Sequence, residues 1–507
     1  MKKRRDLFRF VIFAGIVFLL NFIGSLKFFR IDLTSEGRYS LSEATINLLE
    51  SFDDVLLVKV YLDGEFPAGF QRLQLETQQM LDEFRAYNPN LQYTFIDPTA
   101  NETEEETNNL FQQLQFQGLK PYQLSMNQDG GSAVKTIFPG AILSYGDTEV
   151  PALLLKDQLG SAPEQQINSS IENLEFSLAN SIRGLVKSRK PLVGFLQGHD
   201  ELGPRQVADF AKELSANYQV NLFNIREFKS DSTNEELSVA QQQTRLNRFD
   251  AMIIAKPRRA FTDLDKYLLD QYIMNGGKTI WLVDGADASM DSLSAKSKFM
   301  SLPLFDRLQL NDLLFNYGVR VNTDLVGDMV AAGVNDQRKV RPWIYFPMVM
   351  SQSKHPIVKD LNAVWLRFAS SLDTVIAEGI KKTILLRSSP YSARRATPHI
   401  ISLADLYEPP PRERFREQGL PLGILLEGKF KSLFTNRIKP REGGEPLKMR
   451  DQSLENQILV IGDGDIIQNQ MNVVNPNIPK GAPLPLGYDQ YTGTQYGNKD
   501  LLVNTID

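Results

Sequence analysis

The sequence predicts an α/β protein carried behind a membrane anchor. Three observations predict it. No charged side chain occurs from Phe10 to Leu26. Beyond that run, short β-branched stretches alternate with amphipathic ones, the pattern of strands joined by helices. Between Leu192 and Val283 the strands are apolar at consecutive positions, as a parallel sheet covered on both faces requires.

Four cations, Lys2 to Arg5, precede the uncharged run. With Leu7, Phe8, Phe28 and Phe29 the run reaches the roughly 20 residues a helix needs to cross a bilayer. Phe10, Val11, Ile12, Phe13, Ile16, Val17, Phe18, Leu19, Leu20, Phe22 and Ile23 are the expected anchor residues. The cations favour a cytoplasmic N-terminus, an asymmetry that Lys27 and Arg30 weaken without cancelling. Asn21, Phe22 and Ile23 stand where a small-residue cleavage site would be sought, so the run reads as a retained signal anchor. The expected location is the inner (cytoplasmic) membrane, with the bulk of the chain periplasmic.

The 507 residues exceed one core, and two or three domains are expected. Hydrophobic content of 42% and charged content of 23% are those of globular material. A net charge of −5 gives no case for nucleic-acid binding, which wants a basic face. The absence of cysteine excludes disulfides, thiolate metal sites and cysteine nucleophiles. His199, His355 and His399 are too scattered for a histidine metal site, and neither metal nor cofactor is expected.

Arg30 to Leu49 leads out of the anchor, with Ser40 or Ser42 capping a helix from Glu43. Val55 to Leu62 reads as a strand, Phe70 to Tyr87 as a helix of 3.6-residue period, and Leu91 to Ile96 as a second strand. Glu102 to Gln117 follows as a helix with Glu104, Glu105 and Glu106 at its positive end. Tyr122 to Met126, Lys135 to Tyr145 and Thr148 to Leu155 are strands, the last two joined by a Gly146-Asp147 turn. One long helix, Pro163 to Val186, closes the unit. The order βαβα, then antiparallel strands, then α predicts a thioredoxin-like domain. Its redox position reads Gly64-Glu65-Phe66-Pro67-Ala68-Gly69, which carries no thiol.

The next domain opens with strand Leu192 to Leu196, helix Pro204 to Asn217 and strand Tyr218 to Ile225. A polar segment, Lys229 to Arg245, separates these from strand Phe249 to Ala255, helix Thr262 to Gly276 and strand Thr279 to Val283. This is the flavodoxin-like alternation of a parallel sheet. Ser392 to Arg416 reads as an exposed excursion, and strand character returns at Gly423 to Glu427 and Gln457 to Ile461. The expected divisions are an anchor at 1–30, a juxtamembrane segment at 31–52, a thioredoxin-like domain at 53–188, an α/β domain at 189–470, and an irregular segment starting a C-terminal helix at 471–507.

Gly198, His199, Asp200 and Glu201 end the first strand of that sheet, where α/β proteins bind ligands. They are the candidate ligand-binding residues; a structural turn or partner contact is the plainer reading. His and carboxylate suit acid–base work, but no elbow nucleophile accompanies them. Gly276-Gly277-Lys278-Thr279 resembles the tail of a phosphate loop, yet Tyr272 stands at the first glycine position and a helix precedes it. A helix cap feeding a strand is the better reading. Gly462-Asp463-Gly464-Asp465 is oxygen-rich like a Ca²⁺ loop but lacks the closing Glu, so it reads as a solvated turn. Arg338, Lys339 and Arg341 beside Trp343, Tyr345 and Phe346 form a basic-aromatic cluster, of the kind usually packed on its own domain.

Short motifs spread along the chain resemble one family. They are Arg30-Ile31-Asp32-Leu33-Thr34, Arg38-Tyr39-Ser40-Leu41-Ser42, Gly198-His199-x-Glu201, and Phe249-Asp250 with Asn275-Gly276-Gly277. Trp343-Ile344-Tyr345-Phe346-Pro347, His355-Pro356 and Ile461-Gly462-Asp463 complete the series. In this order they resemble GldG-type gliding-motility-associated ABC transporter auxiliary (substrate-binding) proteins of the Bacteroidetes. The second domain also looks like one shared by these proteins and an intraflagellar-transport subunit, related to class I amidotransferase folds. The resemblance implies a non-enzymatic membrane subunit working with a multi-spanning permease-like partner and a separate cytoplasmic ABC ATPase, needed for gliding and linked to its secretion machinery. It brings no catalytic residues. Family members end in a second membrane helix; its absence after Asn498 to Asp507 implies a shortened chain. Arg30, Asp32, Arg38 and Tyr39 are the expected partner contacts. A periplasmic glycan or small-molecule binding module and a degenerate amidotransferase-like hydrolase are the rival readings.

Overall fold

The computed structural model describes residues 41–507 apart from 101–102, 129–130, 147, 156–162, 187–189, 230–235, 296–297, 336–338, 352, 360, 409, 436 and 443–444. The chain divides into two compact units, Met1–Asp157 with Ala162–Lys187, and Gln158–Ser161 with Ser188–Asp507.

The first unit opens with helix α1 (Glu43–Leu49), where the Ser42 hydroxyl accepts the Thr45 N–H at 3.3 Å. Strand β1 (Leu56–Val60), helix α2 (Ala68–Tyr87), strand β2 (Leu91–Phe95) and helix α3 (Glu104–Phe116) follow. Next come β3 (Tyr122–Gln128), β4 (Gly131–Ile137), β5 (Gly140–Tyr145) and β6 (Thr148–Leu153), then helices α4 (Pro163–Glu172) and α5 (Leu174–Val186). The sheet order is β2-β1-β5-β6; β1 and β2 are parallel, and the β1–β5 and β5–β6 pairings are antiparallel. Alternate residues of β1, Leu56, Val58 and Val60, meet Leu73, Leu81 and Phe84 of α2 and Leu178 and Ile182 of α5.

Two expected elements are each divided. The strand expected over Lys135 to Tyr145 breaks at Phe138-Pro139, where proline offers no N–H to a ladder. This frees β3 and β4 as a separate two-stranded sheet. The helix expected over Pro163 to Val186 is interrupted at Asn173, whose side-chain amide turns back to the Ser169 carbonyl.

The second unit is built on a seven-stranded sheet. Its parallel part comprises β7 (Leu192–Gln197), β8 (Gln219–Asn224), β9 (Ala251–Ala255) and β10 (Lys278–Leu282), interleaved with α6 (Ala208–Leu214), α7 (Val239–Leu246) and α8 (Asp263–Met274). Helix α9 (Asn311–Tyr317) and strands β11 (Asp324–Asp328), β12 (Val340–Val349), β13 (Ile380–Arg387) and β14 (Ser392–Ala396) come next. Strands β15 (Pro421–Lys431) and β16 (Gln452–Ile461) and helix α10 (Asn498–Ile506) follow. The order across the sheet is β13-β15-β16-β10-β9-β7-β8. Pairings from β8 to β16 are parallel, whereas β16–β15 and β15–β13 are antiparallel. Strand faces alternate as the pleat demands. Met252, Ile254, Trp281 and Val460 pack on one side with Leu268 and Tyr272 of α8. Ile253, Leu282, Leu459 and Ile461 pack on the other with Phe210 of α6 and Leu501 and Leu502 of α10.

The expected fold class is therefore corrected. In place of an anchor, a thioredoxin-like domain and a parallel amidotransferase-like sheet, the structure shows a mixed α/β architecture with parallel and antiparallel pairings in both units. The physical reason in the second unit is connection type. No α-helix stands between β13 and β16 among the described residues, and a parallel neighbour needs a crossover. The exposed excursion expected at Ser392 to Arg416 is also corrected in part, because β14 pairs with β11 and Phe415 is buried.

The expected transmembrane helix and inner-membrane location are corrected as well. Among the described residues no helix is long and apolar enough to cross a membrane. The 20-residue helix α2 carries Arg72, Glu76, Asp82, Glu83 and Arg85 and buries only one face. The anchor residues Phe10 to Ile23 and the partner contacts Arg30, Asp32, Arg38 and Tyr39 lie outside the described residues.

Candidate functional site

The carboxyl ends of β7, β9, β10 and β16 lie side by side, and the strand order reverses between β7 and β9. Such a switch point is where α/β sheets open a crevice for ligands. Here the chain fills it with two buried charge networks.

The first network is centred on His199. After β7 the backbone turns sharply, with φ +129° at Gly198 and +56° at Asp200. This drives the His199 ring inward to 0% exposure, stacked on Phe261 with ring centres 3.5 Å apart. Nδ1 lies 3.0 Å from Glu201 Oε1, and Nε2 lies 3.1 Å from Asp265 Oδ2. The His199 N–H donates to Glu201 Oε2 at 2.7 Å, and its carbonyl accepts the N–H groups of Arg258 and Arg259. Asp265 occupies the third position of α8 in a capping box with Thr262, and its Oδ2 also accepts from Arg226. Two carboxylates facing two ring nitrogens require both nitrogens to carry hydrogen. Burial pulls the His199 pKa down, but the bonds to Asp265 and Glu201 outweigh it and hold the value above the ordinary one. Burial likewise opposes charge on Asp265, yet His199, Arg226 and the Thr262 N–H hold its carboxyl well below the usual range. Asp200 points outward, paired with Arg259 at 2.5 Å.

The second network joins Lys256 beyond β9, Asp284 beyond β10, and Asp463 and Asp465 beyond β16. Lys256 has a φ of +55°, and its Nζ lies 2.5 Å from Asp465 Oδ1 and 3.6 Å from Asp284 Oδ2. Asp284 Oδ1 accepts the Gly464 N–H at 2.6 Å. The two oxygens of Asp463 accept the N–H groups of Asp465 and Arg367. Burial raises Asp284, only partly offset by Lys256, and raises Asp463 further because Asp465 and Asp284 crowd it. For Asp465, Lys256 and Arg367 overcome burial and lower the value. The Gly462 to Asp465 loop is thus buried, not the solvated turn expected. Oxygens of Asp284, Asp463 and Asp465 lie within 4.8 Å of one another, a spacing a divalent ion uses. The Lys256 ammonium already stands among them, with guanidinium groups of Arg258 and Arg367 each 3.9 Å from a carboxylate. The positive charge such a trio needs is therefore internal.

The remaining motifs fall into place without chemistry. Gly276 and Gly277 end α8, and a Cβ at Gly277 would stand 2.2 Å from the Tyr272 ring. Trp343, Tyr345 and Phe346 are buried in an aromatic core while Arg341 stacks over Tyr407, and Arg338 lies outside the described residues. His399 Nε2 meets the Tyr345 hydroxyl at 2.8 Å. Lys256, Asp265, Asp284, Arg226 and Arg367 escaped the sequence reading. Asp265 alone left a signal there, the Thr-x-x-Asp spacing of a capping box.

Residues 190–505 match the family described as an ABC-type uncharacterized transport system, an auxiliary component. The chain belongs to this family. Residues 35–144 of the auxiliary protein match a domain of unknown function. A Borreliella burgdorferi relative, described as an uncharacterized protein, is 21% identical over 447 residues, spanning 86% of this chain and 80% of the relative. Two solved structures are similar at a distance. The mmIFT52 N-terminal domain has a TM-score of 0.34 and 14% identity, covering 62% of this chain and 95% of that one. A putative ThuA-like protein from Parabacteroides merdae has a TM-score of 0.24 and 11% identity, covering 62% and 99%. Both are too remote to define the fold of this auxiliary protein.

Proposed function

We propose that this auxiliary component is a non-enzymatic subunit that docks on the permease and the ATPase of its ABC-type transport system. The observation that carries the reading is the closed switch point. His199 is enclosed with both ring nitrogens bonded, and Lys256 is held between carboxylates. Neither group is left to move a proton to or from a substrate, and among the described residues no hydroxyl is hydrogen-bonded to either. The description of the family as an auxiliary component agrees with the lack of any phosphate loop in this sequence. A narrower role in gliding motility and its secretion machinery is supported by the short sequence motifs alone.

Purified protein offered chromogenic esters, amides, glycosides and phosphate esters is expected to turn over none of them. Turnover that tracks the protein through purification and disappears in His199→Gln would overturn the non-enzymatic reading and favour a hydrolase.

A further inference from the structure

One cleft of the second unit lies beside the first network, shares Arg226 with it, and is separate from the docking role. It measures about 760 Å³ and opens at the carboxyl end of β8, the edge strand of the sheet. Phe228, Leu237, Val239 and Leu264, each half-buried, give it an apolar wall. Arg226 and Lys229 supply positive charge on its polar side.

Arg226 is held rigidly. Its Nε and Nη2 donate to Asp265 Oδ2 at 3.2 and 2.8 Å, and Nη2 also donates to the Ala260 carbonyl at 2.7 Å. Nη1 makes no hydrogen bond among the described residues, and the side chain is 35% exposed. Lys229 has no ion pair among the described residues. Glu227 and Glu236 also line the cleft, but no hydrogen bond fixes either carboxylate among the described residues. A donor already locked in place loses less freedom on binding than a mobile acceptor does, so the fixed charge sets the preference. A guanidinium edge matches an oxyanion, and the apolar wall matches a hydrocarbon chain.

We propose that this cleft binds an amphiphile with an oxyanion head and an apolar chain, the head on Arg226 and Lys229 and the chain on Phe228, Leu237, Val239 and Leu264. The same Asp265 oxygen serves Arg226 and His199, so occupation of the cleft is felt at the buried imidazole.

The test is titration of the full chain with dodecanoate below its micelle concentration, followed by calorimetry and by histidine ring resonances. Saturable one-site binding is expected, with the His199 signals shifting and those of His355 and His399 unmoved. Dodecyltrimethylammonium, with the opposite head, and acetate, with no chain, are expected not to bind. Arg226→Gln is expected to weaken dodecanoate roughly tenfold or more, the scale of one charged hydrogen bond. Because that change also touches Asp265, Lys229→Gln and Phe228→Ser test the two walls without entering the network, and each is expected to weaken binding severalfold. The proposal is overturned by no saturable binding, by equal binding of dodecyltrimethylammonium, or by affinity that Lys229→Gln and Phe228→Ser both leave unchanged.

Discussion

At Lys256 a charged side chain is buried in an unusual backbone conformation, and only its carboxylate partners make that tolerable. Lys256→Met is expected to destabilise the second unit by about 3–5 kcal/mol, because it leaves buried carboxylates uncompensated. Adding Asp465→Asn is expected to restore part of the loss, read by denaturant unfolding; additive losses would show that the two residues do not interact. His199 carries a pH signature. Its raised pKa gives stability that is complete below the ordinary imidazole value of about 6.5 and is lost as pH rises through the raised value. Asp265, held low, contributes above the ordinary carboxylate value of about 4 and loses that contribution as pH falls. Comparison of melting temperatures for wild type and His199→Gln should therefore show the largest gap near pH 5 and a smaller one at pH 9. A gap that widens with pH would mean that the ring is neutral in the fold. His199 and Glu201 were legible as a strand-end pair because they adjoin in sequence. Lys256 was not. A cation after an apolar strand reads as a surface residue until Asp463 and Asp465, far along the chain, arrive beside it.

Elements place these residues. Strands expected at Leu192 to Leu196, Phe249 to Ala255 and Thr279 to Val283 lie at Leu192–Gln197, Ala251–Ala255 and Lys278–Leu282. Unbroken apolar runs between turn residues state their own limits. They do not state the direction of a neighbour: the strands expected at Gly423 to Glu427 and Gln457 to Ile461 are found within β15 and β16, but the antiparallel pairing of those two was not legible. The end of β16 is held by close contact. A Cβ at Gly462 would stand 2.2 Å from the Ser370 carbonyl oxygen, which itself accepts no slack because the Ser370 N–H donates to the Gly462 carbonyl at 2.6 Å. Gly462→Ala is expected to cost about 1–3 kcal/mol by overpacking, measured by denaturant unfolding. A neutral substitution would mean that the strand end shifts freely, and the position of Asp463 and Asp465 would then not be set by β16.

Across the whole molecule, the second unit carries the family match and the networks that close its switch point. The first unit matches a domain of unknown function, and its mixed sheet was only half legible, since Pro139 divides a run whose residues otherwise favour one strand. Under the proposed function, what such a protein offers a transport system is surface and not turnover. The direct measurement is affinity purification of the tagged chain from its own host in mild detergent, with partners identified by mass spectrometry against an untagged control. The account expects a permease and an ABC ATPase to be recovered together with the chain. Recovery of neither, from cells shown to produce both, would contradict it.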